Sequence, residues 1–168
     1  LKETGNVPGH VAHLWNLTAT GELSFDEAQN LGFYSQLFLV KALGVQQVTQ
    51  VIQLDMISNH VQAVVKTDQL CPEKSTLLGP CKVIPQEYPN VTCRSIDVWL
   101  DQPHNAEEQK RVAEQLKHEL AVENGDLVVA YRDSQRLVQT YEPQRVEVVQ
   151  AGADGLREDH DALLGAVE

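Results

Sequence analysis

Six histidines (His10, His13, His60, His104, His118 and His160) and three cysteines (Cys71, Cys81 and Cys93) are the side chains best suited to hold a metal or carry a nucleophilic step. No acidic motif ties the histidines together. His10 and His13 flank a strand start and point to opposite faces if the backbone is extended. His60 stands near the end of a strand, where α/β proteins build their sites. The cysteines are odd in number and lack CxxC spacing, which argues against a disulfide framework and a zinc site and for a reducing, cytoplasmic setting. Cys71 precedes Pro72 at a helix entrance, a place that can activate a thiol, but no histidine partner is assignable to it. The nucleophile elbow GxSxG is absent. None of Tyr34, Tyr88, Tyr131 and Tyr141 stands one helical turn before a lysine, the Tyr-x-x-x-Lys arrangement that lets a phenol donate a proton to a carbonyl. Neither GxGxxG nor GxxxxGK[ST] occurs. The turn after Leu17 reads Thr18-Ala19-Thr20-Gly21-Glu22, with a single glycine, and Gly152-Ala153-Asp154-Gly155 does not open a helix after a strand. Close approach of backbone to a pyrophosphate needs several glycines at set offsets. The residues therefore assign no catalytic, cofactor-binding or metal position.

The elements that would position such groups alternate strand and helix. Val11 to Leu17 reads as a strand. Ser24 and Glu27 form a capping box for a helix over Phe25 to Leu43. Phe33, Leu37, Phe38, Leu39, Val40 and Leu43 make its second half apolar on most sides, which predicts burial. Gly44 is placed to end it with positive φ. Val48 to Ile57 is the second strand, and Val61 to Val65 a short strand or irregular extension. Pro72 opens a helix over Glu73 to Ile84 that stops near Pro85. Val91 to Leu100 is a third strand. Asn105 with Glu108 caps a helix carrying Val112, Leu116 and Leu120 on one stripe, with a solvated charged face. Leu127 to Tyr131 and Arg136 to Tyr141 form an antiparallel hairpin about Asp133-Ser134. The pattern predicts an α/β, truncated Rossmann-like fold: a mainly parallel sheet flanked by helices, closed by a C-terminal hairpin. Residues 1–149 read as that domain and 150–168 as an acidic linker or tail with a weak helical pattern.

The chain has 168 residues, one domain's worth, with 13 basic against 24 acidic side chains and a net charge of −11. That balance repels phosphate backbones and anionic lipid, so neither nucleic acid nor a membrane surface is an expected partner. No apolar run approaches the about 20 residues needed to span a bilayer. Hydrophobic residues at 42% suffice for a core, and aromatics at 5% predict an aliphatic one. The sequons Asn16-Leu17-Thr18 and Asn90-Val91-Thr92 fall in strand-like runs and read as chance matches.

The stretch Leu70 to Val98, LCPEKSTLLGPCKVIPQEYPNVTCRSIDV, resembles a segment in the N-terminal structural subdomain of modular polyketide synthase ketoreductases. His13-Leu14-Trp15-Asn16-Leu17 resembles that family's HLWSL, and Gly32-Phe33-Tyr34, Leu37, Ala42-Leu43 and Tyr141-Glu142-Pro143 also match. The resemblance runs from about Val11 to Arg145. It implies a noncatalytic Rossmann-like half of a multidomain synthase. The partner half would bind NADPH, carry a Ser/Tyr site and reduce the β-keto group of a chain held on acyl carrier protein. Expected partners are that catalytic half, neighbouring synthase domains and acyl carrier protein. The alternatives are a scaffold pseudo-ketoreductase and an independent small-ligand-binding α/β domain. The family's earlier strand and helix have no counterpart before Leu1, and no glycine-rich turn appears near Leu156. No cofactor or catalytic residue of the family carries over. Apolar surface left where the absent elements would pack is expected to be exposed and to favour self-association.

Overall fold

The computed structural model describes residues 7–18, 23–100, 105–122 and 125–143. The turn at 19–22, His104, residues 144–149 and the segment 150–168 read as linker or tail, which contains His160, lie outside the described residues. Strands β1 (His10–Asn16), β2 (Ile52–Asn59), β3 (Val91–Val98) and β4 (Val128–Arg132) are parallel neighbours in that order, and β5 (Gln135–Val138) pairs antiparallel with β4. Helical segments connect the parallel strands, so the α/β, mainly parallel architecture with its hairpin is the observed one. β2 runs from Ile52 rather than Val48, because Ile52 N bonds Asn90 O and starts the ladder there. Asp133 makes the tight turn into β5 at φ 50°. Val61 to Val65 is irregular.

The first helical connection is α1 (Phe25–Gln29), a π-turn (Asn30–Tyr34) and α2 (Ser35–Val45). Ser24 and Glu27 form the capping box: Glu27 N donates to Ser24 Oγ, and Ser24 N to Glu27 Oε2 at 2.9 Å. The apolar second half is not buried all round. Phe38 is 61% exposed, while Ser35 and Gln36 are buried. The wider π-turn shifts the helix face that reaches the sheet, so a constant helical period misplaces it. Ser35 and Gln36 tolerate burial because each is bonded. Ser35 Oγ lies 2.8 Å from His13 Nε2, and Gln36 Nε2 donates to Leu77 O. Gly44 does not end the helix in a left-handed conformation; that conformation falls at Gln47, φ 52°. Gly44 is small for another reason: a Cβ there would stand 2.8 Å from the Tyr88 ring.

The second connection is a 3-10 turn (Pro72–Leu77) followed by α3 (Leu78–Glu87). Pro85 lies inside α3 rather than stopping it. Pro85 forfeits one bond in the last turn, and Tyr88 N still closes on Ile84 O at 2.8 Å. The third connection is α4 (Ala106–Leu120), capped by Asn105 Oδ1 on the amides of Glu107 and Glu108.

The core is aliphatic, with Tyr131 as its aromatic member. It is split by the sheet. On one face Val40 of α2 and Cys81 and Ile84 of α3 pack on Leu54, Met56, Val91 and Cys93. On the other, Val112 and Leu116 of α4 pack on Ile57, Ile96, Val98, Val129 and Tyr131. Crossovers of one hand between strands in sequential order would put every helix on one face. Since α4 lies opposite α2 and α3, the β3–α4–β4 connection has the other hand. Among the described residues, no helix packs on the face of β4–β5 on the α2/α3 side.

Candidate functional site

The carboxyl ends of the parallel strands are where an α/β sheet of this kind would hold a ligand. Here Asn16 ends β1, Asn59 and His60 end β2, Asp97 ends β3 and Arg132 ends β4. The structure brings them together, and the chain bonds them to itself.

Lys74, in the 3-10 turn, is 2% exposed. Its Nζ donates to Asn59 Oδ1 at 2.6 Å, Asn16 O at 3.2 Å and Thr18 O at 3.4 Å. Burial lowers the Lys74 pKa below its ordinary value, against the opposing pull of Cys71 and Asp97. Asn59 Nδ2 in turn donates to Thr18 O and Leu100 O. His60 adopts φ 62°, with Nδ1 2.9 Å from Gln69 O and Nε2 3.2 Å from Leu100 O. Both ring nitrogens face carbonyls, which places the ring as a strut between two loops. The Asn16 side chain is buried with neither amide atom bonded among the described residues, and is enclosed so tightly that a Cβ on Gly32 would stand 2.7 Å from Nδ2. That burial also closes the first sequon.

Asp97 is the carboxylate a reaction would want, and it is fully committed. Oδ1 accepts from Val61 N at 3.1 Å and Ser58 Oγ at 3.4 Å; Oδ2 accepts from Gln62 N at 3.3 Å and Arg132 Nη2 at 2.9 Å. Burial raises its pKa, outweighing the Arg132 bond and the two amides. Arg132 spends its remaining donors on Asp68 Oδ1, Gln62 O and Tyr131 O, and its guanidinium lies 5.6 Å over the Trp99 ring. Asp68 also accepts from Val64 N and Val65 N. Burial works against its charged form, but Arg132 and those amides prevail and lower its pKa. The irregular 61–70 segment is thus folded back and pinned onto the strand ends.

The remaining sequence candidates are dispersed. His10 Nε2 meets Asp55 Oδ2 at 2.5 Å on the sheet face opposite His13, as the strand alternation predicts. His118 is exposed on α4. Cys71 makes no side-chain cap bond to its turn, while Cys81 and Cys93 are buried. Burial, then the bond to Glu119, pushes the Tyr131 pKa up to about 12, and its hydroxyl donates to Glu119 Oε2 at 2.7 Å. Tyr34 stacks on Phe38, and Tyr141 is 81% exposed. Among the described residues no group of three or more His, Cys, Asp or Glu is placed to hold a metal ion. No helix among them is long and apolar enough to cross a membrane. Sequence reasoning missed Lys74, Asp97 and Arg132; nothing in their local spacing marks them, because each finds its partners across the fold.

His13 carries a pH prediction. Burial lowers its pKa from the ordinary 6.5, against a backbone bond. Its contribution is therefore present above pH 6.5 and lost as the pH falls through that value, where the unfolded chain takes up the proton first. The urea midpoint of the wild type should fall from pH 7 to 5.5 more steeply than that of His13→Gln, in unfolding curves compared at each pH. Equal slopes would show that His13 is not held neutral.

No protein-family model and no curated protein sequence matches the chain. Its fold is similar to a solved structure described as the adenylation, ketoreductase and pseudo Asub multidomain structure of a keto acid-selecting NRPS module. The TM-score is 0.65 at 26% identity, over 80% of this chain and 11% of that one. The chain thus spans about a tenth of the length of its structural neighbour, whose module contains a ketoreductase.

Proposed function

We propose that the chain is the noncatalytic structural subdomain of a polyketide synthase ketoreductase. In this reading it stabilises and orients a catalytic half that binds NADPH and delivers its hydride, with a proton, to the β-keto group of an acyl chain on acyl carrier protein. The observation that carries the noncatalytic role is the self-bonded strand end. Asp97, Arg132 and Lys74 occupy the ligand position and direct their polar atoms at this chain's own backbone and side chains. The absence of a glycine-rich turn after β1 supports the same reading. The polyketide context is supported by the 70–98 resemblance, and a synthase context by similarity to a module that contains a ketoreductase. The partners are the catalytic half and adjacent synthase domains, in the cytoplasm.

The test has two arms. Calorimetric titration of the purified chain with NADPH should give no saturable heat up to millimolar cofactor. Co-expression with the catalytic half of a polyketide synthase ketoreductase should raise that half's soluble yield and its reduction of a β-ketoacyl thioester. Tight cofactor binding by the chain alone, or no effect on the catalytic half, would overturn the reading.

A further inference from the structure

We propose that a furrow along β4 binds a medium-chain alkyl carboxylate, with the carboxylate at Lys82 and the hydrocarbon tail running toward residues 62–64. This inference does not rest on the synthase reading.

Two hollows make the furrow. The larger, about 490 Å³, lies at the start of β4, between Cys81, Lys82 and Pro85 of α3 and Leu127 and Tyr141. The smaller, about 270 Å³, lies further along β4, against Ala130 and Leu137. Both are lined by Val128, Val138 and Gln139, so each runs into the other. The two ends differ. At the first, Leu127 is 66% exposed and Tyr141 81%, which leaves a mouth open to solvent. At the second, Ala130 is only 6% exposed, and Ala63 and Val64 of the irregular segment complete the wall. Arg132 Nη2 holds that segment through Gln62 O at 2.7 Å. The sheet face is thus partly covered, with an open mouth and an enclosed end.

The lining selects the ligand. The volumes are on the scale of small-molecule sites, about 300–1,000 Å³. The path between the ends is aliphatic, formed by Val64, Val128, Ala130, Leu137 and Val138. An elongated aliphatic path suits a linear hydrocarbon. The mouth carries one uncommitted charge. Lys82 is exposed there and forms no ion pair among the described residues. Asp126 also lines the mouth, but its Oδ2 is held by Arg136 Nη1 at 2.9 Å. A single ammonium at the open end of an apolar path matches a single carboxylate at the head of an alkyl chain. No arginine lines either hollow, so the fork that grips a phosphate bidentately is absent from both. The net charge of −11 gives anions no long-range attraction to this chain. Affinity must therefore come mainly from burying the tail, and it should grow with tail length.

The test uses the full chain with hexanoate, octanoate and decanoate, each below its micelle concentration. Calorimetry should find one saturable site that tightens about fourfold for each added methylene, the worth of one buried CH₂. In NMR, the terminal methyl of decanoate should give nuclear Overhauser contacts to Val64 and Ala130, and the methylene beside its carboxylate to Lys82. Lys82→Met changes an exposed side chain and should leave the urea midpoint unchanged. It should weaken decanoate about fivefold, the scale of an exposed ion pair, and leave uncharged decanol unaffected. No saturable binding of decanoate, or contacts concentrated at exposed groups elsewhere such as Trp15 and Phe38, would overturn the proposal. So would a Lys82→Met variant that binds decanoate as wild type does, or that loses decanoate and decanol equally.

Discussion

Arg132→Ala should destabilise the fold by about 3–5 kcal/mol, the usual cost of removing one partner from a buried ion pair. Asp97 is fully buried and loses its guanidinium, and Asp68 loses the bond that ties the 61–70 segment down. An ordinary domain has only about 5–15 kcal/mol in total, so the variant should unfold at markedly lower urea, followed by tryptophan fluorescence. The pH dependence identifies the cause. Burial already raises the Asp97 pKa above its ordinary 3.8. A carboxyl with a raised pKa favours the fold at low pH and loses that contribution as the pH rises through its folded value. Without Arg132 the raising is greater, so the deficit should shrink at pH 5 relative to pH 8. Asp97→Asn in the same chain should recover part of the loss at pH 8. A deficit that is independent of pH and of Asp97→Asn would place the effect in lost packing on Trp99 instead.

The second large effect is expected at Glu119, 1% exposed beneath α4. Its carboxylate bonds Arg94 Nη2, accepts from Tyr131 Oη at 2.7 Å, and takes Arg136 Nε at 2.7 Å and Nη2 at 3.1 Å. Burial opposes the charge, yet Arg136, Tyr131 and Arg94 outweigh it and lower the Glu119 pKa. Arg94, 2% exposed, has Asp55 at 3.7 Å as its one further carboxylate among the described residues. Glu119→Ala should therefore cost about 3–5 kcal/mol. Glu119→Gln, which keeps the volume but removes the charge, should cost nearly as much. A Gln variant close to wild type in denaturant unfolding would show that shape, not charge, holds this corner. The surface pair Arg111–Asp133 makes a useful control. Asp133 is 92% exposed, so breaking that pair should change stability by no more than about 1 kcal/mol.

Much of the architecture was legible in local pattern. The alternation of β-rich and helical runs predicted a parallel sheet. Ser24 with Glu27 marked a helix start, and Asp133-Ser134 marked the hairpin. These signals are carried by residues within a turn or two of each other, so one sequence suffices to read them. The errors have the same root. The π-turn at Asn30–Tyr34 breaks the period, and Phe38 came out exposed where the pattern buried it. Gly44 was read as a helix end, whereas Tyr88, distant in sequence, is what requires a small residue there.

By itself the sequence determined the class of fold, an aliphatic core, an acidic surface and the lack of a phosphate loop, since each is a matter of composition or short-range spacing. Only the tertiary structure decided that α4 lies on the opposite face from α2 and α3. It alone showed that the strand ends are closed by Lys74, Asp97 and Arg132. The physical reason is distance along the chain. Arg132 meets Asp68 and Asp97 across separations of 64 and 35 residues, and Lys74 meets Asn16 across 58. Such pairings are selected by the packing of the whole sheet, and no local pattern records them.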